Sequence, residues 1–227
     1  MAQTCRTAKC VEAIRVALLD QCTLLPVAGA LNGYAMGCII DFNFAKETED
    51  GEESIIKDDC GRICARDKRC DQVKFHTIEF KIKEPDAEFL SLISGDPLVV
   101  DDATSIGVRE LANGNCAPYV FLEAFERAGD ECDPVTGDPL YYRHVWPAVR
   151  LTWPSNEKEG VFRILQIEGE TKDVLTDDVN DGPFNDLNPA YFVPGSVGER
   201  MHYQWFVDDV VPAVQCGAIA VPAQIPY

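Results

Sequence analysis

The amino-acid sequence predicts a mainly β protein with one short flanking α-helix. Residues 33–45 and 72–83 are long segments in which apolar and polar side chains largely alternate, which is typical of strands with one buried face. Residues 85–95 carry the signals of a single short helix. The order of strand, long strand pair, helix and further strands favours an antiparallel sheet with a helix packed on it.

The alternation is clearest in residues 33–45, GYAMGCIIDFNFA. One face would carry Tyr34, Met36, Cys38, Ile40, Phe42 and Phe44, and the other Ala35, Gly37, Asp41, Asn43 and Ala45, with Ile39 as the exception. We therefore expect Tyr34, Met36, Ile40, Phe42 and Phe44 in the core. Asp41 and Asn43 would lie on the wet face.

The second long strand is QVKFHTIEFKIK, residues 72–83. Its apolar phase shifts between Phe75 and Ile78, which indicates a bulge or a strong twist.

The helix signals lie in PDAEFLSLISG, residues 85–95. Pro85 opens the segment, acidic residues fill its first turn and Gly95 ends it. The spacing of Phe89 and Ile93 puts both on one face, so both are expected in the core.

Further strands are predicted at 13–20, 118–125, 140–152, 160–170 and 201–207. No repeat or linker divides the chain, so residues 1–207 are interpreted as a single β-domain. The acidic, glycine-containing segment 46–70 is predicted to be a long loop, because its charge density suits solvent or a partner. The proline-interrupted segment 208–227 is predicted to be an extended C-terminal arm.

The composition is strongly acidic. The 227 residues include 38 Asp and Glu against 20 Lys and Arg, a formal charge of -18. The electrostatic field of this negative charge repels nucleic acid and argues against tight DNA or RNA binding. The alternative is that the acidic residues only keep the protein soluble. The sequence shows no apolar signal-peptide stretch and no membrane span, so we expect a protein held in a cytoplasm.

The chain contains ten cysteines, but their spacing and the size of the chain do not indicate the disulfide framework of a small secreted protein. Cys60, Cys64 and Cys70 with His76 could bind zinc, yet the paired two-residue spacing of zinc knuckles is absent. Reduced thiols are expected inside a cell, and pairs could cross-link later in an oxidising exterior.

No pattern in the chain predicts catalysis, a metal or a cofactor. The nucleophile elbow, the phosphate-binding glycine loops and the zinc-protease helix motif are all missing. The three histidines lie far apart in sequence, and His144, among aromatics on a strand, suits packing better than base catalysis. Paired acids such as Asp177 and Asp178 suit solvated turns better than calcium.

Three segments together resemble the major tail tube proteins of long-tailed bacteriophages, especially those that infect actinobacteria. They are the stretch 42–99, which contains an acidic GEE loop and a D-x-x-x-L-x-x-L-x-G-like helix, CDPVTGDPLYYRHVWPAVRLT at 132–152, and NDGPFND at 180–186. The match covers about residues 11–187, and residues 201–227 match nothing in the family pattern.

The resemblance implies a β-sandwich subunit whose two long hairpins join those of its neighbours in an intersubunit β-barrel, within stacked hexameric rings of a virion tail tube. The hairpins would be 33–45 with 72–83 and 140–152 with 160–170. Asp41, Asn43 and Glu79 would then face the lumen. The loop would meet a neighbouring ring or subunit through Glu52, Glu53, Arg62, Arg66, Lys68 and Arg69. Implied partners are copies of the chain, tape measure, tail terminator and distal tail proteins, and DNA in passage.

Two other classes remain open from the sequence. A capsid decoration or head–tail joining protein would also be acidic and β-rich, but would not form tubes by itself. A hydrolase or binding module would need a clustered polar site, which the sequence does not display.

Overall fold

The computed structural model describes residues 10–37, 39–57, 59–60, 63–83, 86–111, 116–132, 137, 139–159, 162–175, 182–187, 199–208 and 217–223. Within these ranges the secondary structure is mainly β, with one short helix. No helix in the described ranges has the length and apolar character needed to cross a membrane.

The strands fall into one large sheet and three small two-stranded pairs. They are β1 (Val11–Leu18), β2 (Gly29–Met36), β3 (Ile39–Glu49), β4 (Glu53–Lys57), β5 (Ile63–Lys68), β6 (Gln72–Lys83), β7 (Leu98–Asp101), β8 (Thr104–Val108), β9 (Tyr119–Cys132), β10 (Pro139–Glu159), β11 (Phe162–Thr171), β12 (Val174–Leu175), β13 (Arg200–Met201), β14 (Gln204–Asp208) and β15 (Gly217–Val221). The helix α1 spans Ala87–Ser94.

The large sheet has the order β15-β2-β1-β9-β10-β11-β6-β3, and β14 also pairs with β10. Every pairing in it is antiparallel. The 21-residue strand β10 joins its two parts, because its first half pairs with β9 and β14 and its second half with β11.

The main core lies where the two parts of the sheet face each other. Apolar side chains from β1, β2 and β9 meet those from β6, β10 and β11 in one buried cluster, which α1 joins through Phe89 and Ile93. The rings of Phe42 on β3 and Trp146 on β10 have centroids 5.7 Å apart across this core. The sheet therefore curls so that strands distant in its order share one interior.

The predicted helix at 85–95 is confirmed, and its ends have a physical cause. The Asp86 carboxylate accepts a hydrogen bond from the Glu88 backbone N–H, which caps the first turn. Gly95 ends the helix in the left-handed region at φ 74°, and its N–H donates to the Ser91 carbonyl over 2.9 Å. Glycine reaches this conformation without the steric cost that a Cβ would add.

The prediction of one continuous strand over 33–45 is wrong. β2 ends at Met36 and pairs with β1 and β15, whereas β3 begins at Ile39 and pairs with β6. An alternating pattern records which face each side chain takes, but it does not record a change of partner strand.

Ile40 was expected in the core, and it is 52% exposed. The pairing of β3 with β6 shifts between Ile39, opposite Ile82, and Asp41, opposite Lys81, so Ile40 is an extra residue in a bulge. Ile39, the exception to the alternation, packs against the core instead. The bulge thus moves the inward position by one residue.

The phase shift expected between Phe75 and Ile78 also lies elsewhere. β6 pairs regularly with β3 from Phe75 onwards. The register shifts at Lys74, because Val73 and Phe75 lie opposite the consecutive residues Thr48 and Glu47. His76 takes the inward position before Ile78, and it is buried. The first inward-facing residue of β6 is therefore a histidine, and a search for alternating apolar residues does not detect it.

The segments predicted as a loop and as an arm contain regular strands. Within 46–70, β3 continues to Glu49, and β4 and β5 pair as an antiparallel hairpin. Within 208–227, β15 pairs with β2 at one edge of the large sheet. Residues 209–216 and 224–227 lie outside the described ranges.

Candidate functional site

One side of the β3-β6-β11-β10 region is a continuous polar surface, here called the polar face. The register places its residues in cross-strand rows: Asp41, Lys81 and Gln166; then Asn43, Glu79, Glu168 and Thr152; then Ala45, Thr77, Glu170 and Arg150. Asp41, Asn43 and Glu79, the three residues that the family resemblance would place in a lumen, are exposed. The polar face carries four carboxylates and two cations, and it lines a shallow groove of about 520 Å³.

Two carboxylates on the polar face lie directly opposite each other. Glu79 on β6 pairs in register with Glu168 on β11, an arrangement in which like charges repel. The side-chain amide of Gln166 donates to both, over 2.8 Å to Glu79 and 3.0 Å to Glu168. This amide allows two negative charges to remain adjacent on an exposed sheet surface.

The opposite side of the same strands faces the core. Of the residues predicted in the core, Tyr34 and Met36 on β2 and Phe89 and Ile93 on α1 are buried, at 5% exposure or less. Phe42 is half-buried and packs against the core cluster. Phe44 points to the same side but is 41% exposed, because β3 is the outermost strand of the sheet, and its ring packs edge-on against Trp146.

The charged residues predicted for inter-ring contact belong to the β4–β5 hairpin and its base. Glu52, Glu53, Lys68 and Arg69 are exposed. Arg62 and the side chain of Arg66 lie outside the described parts of the structure. The hairpin is closed at its base by a hydrogen bond of 3.1 Å from the Arg69 N–H to the Glu52 carbonyl.

A buried ion network on the other side of β1, β9 and β10 was not predicted from the sequence. Glu123 lies between two arginines: its Oε2 is 2.7 Å from Arg15 Nη2, and its Oε1 is 2.6 Å from Arg143 Nη2. Asp186 bridges the same arginines at 2.7 Å each, and Asp208 accepts from Arg143 Nη1 over 2.9 Å. Glu123 and Arg143 are fully buried.

The charges in the ion network sustain one another. Burial by itself would raise the pKa of Asp186, but Arg15 and Arg143 outweigh it and hold that pKa below its usual range. Burial would lower the pKa of Arg143, but Glu123 and Asp186 hold it above its ordinary value. The network ties residues 182–187 to the sheet through Asp186, and it adds a side-chain contact between β14 and β10 through Asp208 and Arg143.

The ion network also gives a physical role to part of the NDGPFND segment. Its last residue, Asp186, is the bridging carboxylate, and the Phe184 ring lies 4.5 Å from the Arg15 guanidinium carbon. Sequence inspection missed the network because Arg15, Glu123 and Arg143 stand on three separate strands, and the bonded pairs of the network are up to 171 residues apart in sequence. An isolated Arg or Glu at an inward strand position was the available signal.

All three histidines of the chain meet in a second group, here called the histidine cluster. Tyr203 Oη is 2.7 Å from His144 Nδ1, and Glu126 Oε2 is 3.1 Å from His144 Nε2. The rings of His76 and His202 stack with centroids 6.3 Å apart, and Tyr203 lies 5.3 Å from His76. Their separation in sequence suggested unrelated positions, whereas sheet pairing brings them to one end of the core.

The histidine cluster is a packed group. Burial lowers the pKa of His76, His144 and His202, and it raises the pKa of Tyr203, because each charged form loses hydration. His144 fits the packing role expected of it: its ring stacks with Trp146 at 5.9 Å, and both nitrogens have polar neighbours.

Among the described residues, no group of three or more His, Cys, Asp or Glu side chains is arranged to hold a metal ion. Of the four residues of the zinc alternative, Cys60, Cys70 and His76 are described and the Cys64 side chain is not. Comparison with known proteins finds neither a family model nor a curated protein that matches the chain.

Proposed function

We propose that this chain is the major tail tube subunit of a long-tailed bacteriophage, and that its polar face lines a channel for DNA. The observation that carries the proposal is the period-two division of β3, β6, β11 and β10 into one exposed acidic side and one core side. A sheet with one covered and one wet face suits the wall of a water-filled bore.

The strand order supports ring formation. The two hairpins, β3 with β6 and β10 with β11, lie side by side through the β6–β11 pairing, so each subunit offers a four-stranded segment. β3 is an outer strand of 11 residues, and in the described ranges its strand partner is β6. Pairing such edges between subunits closes a barrel and removes the exposed edges. The curled sheet would then supply the layers of the family's β-sandwich.

The charge of the polar face supports passage of DNA without binding. Asp41, Glu79, Glu168 and Glu170 outnumber Lys81 and Arg150, and the whole chain has a formal charge of -18. Phosphates bind to basic surfaces and are repelled by acidic ones, so an acidic wall lets DNA slide. This role implies further partners, which are the tape measure, tail terminator and distal tail proteins. It also implies that the protein is located in the virion tail.

Electron microscopy of the purified protein tests the proposal. Hollow tubes or stacked rings are expected, whereas a protein that stays monomeric at high concentration contradicts the proposal. Closed rings that never stack would favour the alternative, a head–tail joining protein. Isolated subunits that bind only to capsids would favour a decoration protein.

A charge-reversed variant tests the channel. Glu79→Lys with Glu168→Lys changes two exposed side chains, so the fold and the tubes should persist. Duplex DNA should then be retained by the tubes at low salt and released at high salt. The matched control is Asp101→Lys with Glu110→Lys, which changes two exposed acidic residues that lie outside β3, β6, β10 and β11. Equal DNA retention by both variants would place the polar face outside the channel.

A further inference from the structure

The β4–β5 hairpin carries apolar side chains that its own chain leaves uncovered. Ile55, Ile56 and Ile63 are 42%, 60% and 56% exposed. All described residues of β4 are exposed, and a two-stranded hairpin is marginal in water without packing against something else. Exposed isoleucines on such an element indicate a surface that a partner covers.

Among the described residues of this hairpin, one face combines apolar and basic side chains. Lys57 pairs with Ile63, and Ile55 lies two residues before Lys57, so Ile55, Lys57 and Ile63 share a face. Ile56 pairs with Ala65 on the opposite face. The segment 57–69 holds five basic and three acidic residues in a chain with 20 basic and 38 acidic ones, so it is a local cationic exception.

A groove of matching character lies elsewhere on the molecule, between α1 and the β1–β2 connection. It has a volume of about 500 Å³. Leu18, Leu92 and Leu98 line it, and Leu31 adds an apolar side chain that is 62% exposed. Among the described residues that line it, the charged ones are Asp20 and Glu88. We call it the helix groove.

We propose that the Ile55–Lys57–Ile63 face of one subunit docks in the helix groove of a second copy of this chain. The isoleucines would cover the leucines, and Lys57 would approach the acidic rim, which is the usual arrangement of an apolar centre with a polar border. Hairpin and groove are different surfaces, so the contact is head-to-tail and each copy keeps one of each available. The inference rests on the proposed function, because such a contact propagates rings into a tube.

Two isoleucines on one hairpin provide a matched pair of variants. Ile63→Ser should weaken association at least tenfold by sedimentation and shorten the tubes, whereas Ile56→Ser, on the opposite face with similar exposure, should assemble like the unmodified chain. Leu31→Ser, on the groove side, should reproduce the defect of Ile63→Ser. Equal behaviour of Ile63→Ser and Ile56→Ser would overturn the proposal.

Native cysteines report the contact directly. Cys60 is exposed at the end of the hairpin, Cys22 lies in the turn that begins at Asp20, and Cys116 lies two residues before Pro118 of the groove lining. A short bismaleimide cross-linker applied to assembled protein should join Cys60 of one copy to Cys22 or Cys116 of another, as mapped by mass spectrometry. Cys60→Ser should abolish that product. Cross-links from Cys60 only to Cys132 or Cys10 would overturn the docking.

The outcomes separate this inference from the proposed function. Tubes that form normally with Ile63→Ser and without the Cys60 cross-link would refute the docking and leave the tail tube role intact. A closed dimer or ring that shows the cross-link but never forms tubes would support the docking and refute the tube.

Discussion

Tyr203 Oη lies 2.7 Å from His144 Nδ1, and this contact joins the β13–β14 connection to the long strand β10. Through the same tyrosine the contact reaches His76 on β6, so the histidine cluster connects three parts of the sheet. Lys46 and Arg200 are the cations near it, and Glu126 and Asp173 the acids.

We expect the histidine cluster to make the fold less stable in mild acid. Burial lowers the pKa of all three histidines in the folded state, so below their ordinary pKa of 6.5 the unfolded chain binds more protons than the folded one. The stability that neutral histidines contribute is therefore complete above about pH 6.5 and is lost as pH falls through the lowered values. Urea unfolding at several pH values between 7.5 and 5 measures how steeply the free energy of unfolding falls with pH.

His76→Phe supplies the comparison for this slope. The ring of Phe fills a similar volume, and His76 Nδ1 has no hydrogen-bond partner among the described residues. The variant should lose stability less steeply between pH 7 and 5 than the unmodified chain. Identical slopes in the two proteins would show that other groups cause the acid sensitivity.

The ion network predicts a large loss of stability from one neutral substitution. Glu123→Gln leaves Arg15 and Arg143 buried with less negative charge, and removing one member of a buried ion pair costs about 3–5 kcal/mol. Asp173→Asn removes an exposed pair with Arg200 and should cost less than about 1 kcal/mol. Urea denaturation at pH 7 compares them, and similar losses would contradict a stabilising network.

Gln166 predicts an electrostatic effect on the polar face. Gln166→Leu removes the amide that donates to Glu79 and Glu168, and we expect a loss of about 0.5–1 kcal/mol. Added salt should recover part of it, because salt screens repulsion between exposed carboxylates. In the double variant with Glu168→Gln the loss should shrink, and a loss independent of both salt and Glu168 would contradict the repulsion.

The bulge in β3 predicts unequal roles for two neighbouring apolar residues. Ile40→Ser changes a half-exposed side chain and should alter monomer stability by less than about 1 kcal/mol. Phe80→Ala, at a fully buried position on the paired strand, should cost about 3–5 kcal/mol. Thermal unfolding of dilute protein checks both, and a large effect of Ile40→Ser would place that residue in the core.

The sequence was sufficient for local features and insufficient for pairings between distant segments. The helix α1 followed from Pro85, the acidic first turn and the stop at Gly95, because such signals act within a few residues. The outward positions of Asp41 and Asn43 followed from alternation, although the predicted strand 33–45 is in fact parts of two strands. Ile40 was misplaced because a single inserted residue inverts the inward and outward phases, and nothing in the composition of GCIID signals a bulge.

The two buried clusters were beyond sequence inspection for a different reason. Arg15, Glu123 and Arg143 become neighbours only after β1, β9 and β10 pair, and a lone charge in a strand is compatible with many partners. The histidines show the same limit, since their proximity depends on which strands lie side by side. The contacts of both clusters therefore depend on the order in which the strands pair.

The Arg15–Glu123 contact spans 108 residues, and this has a consequence during synthesis. At about 5–20 residues per second, the ribosome needs roughly 5 to 20 seconds to deliver β9 after β1 has emerged. Throughout that interval the first strand can pair with β2, but it lacks its other neighbour β9 and the counter-ion Glu123, and Asp208 arrives later still. The native sheet therefore forms late in synthesis. Until then, the negative charge of the chain opposes association between growing chains on the same mRNA.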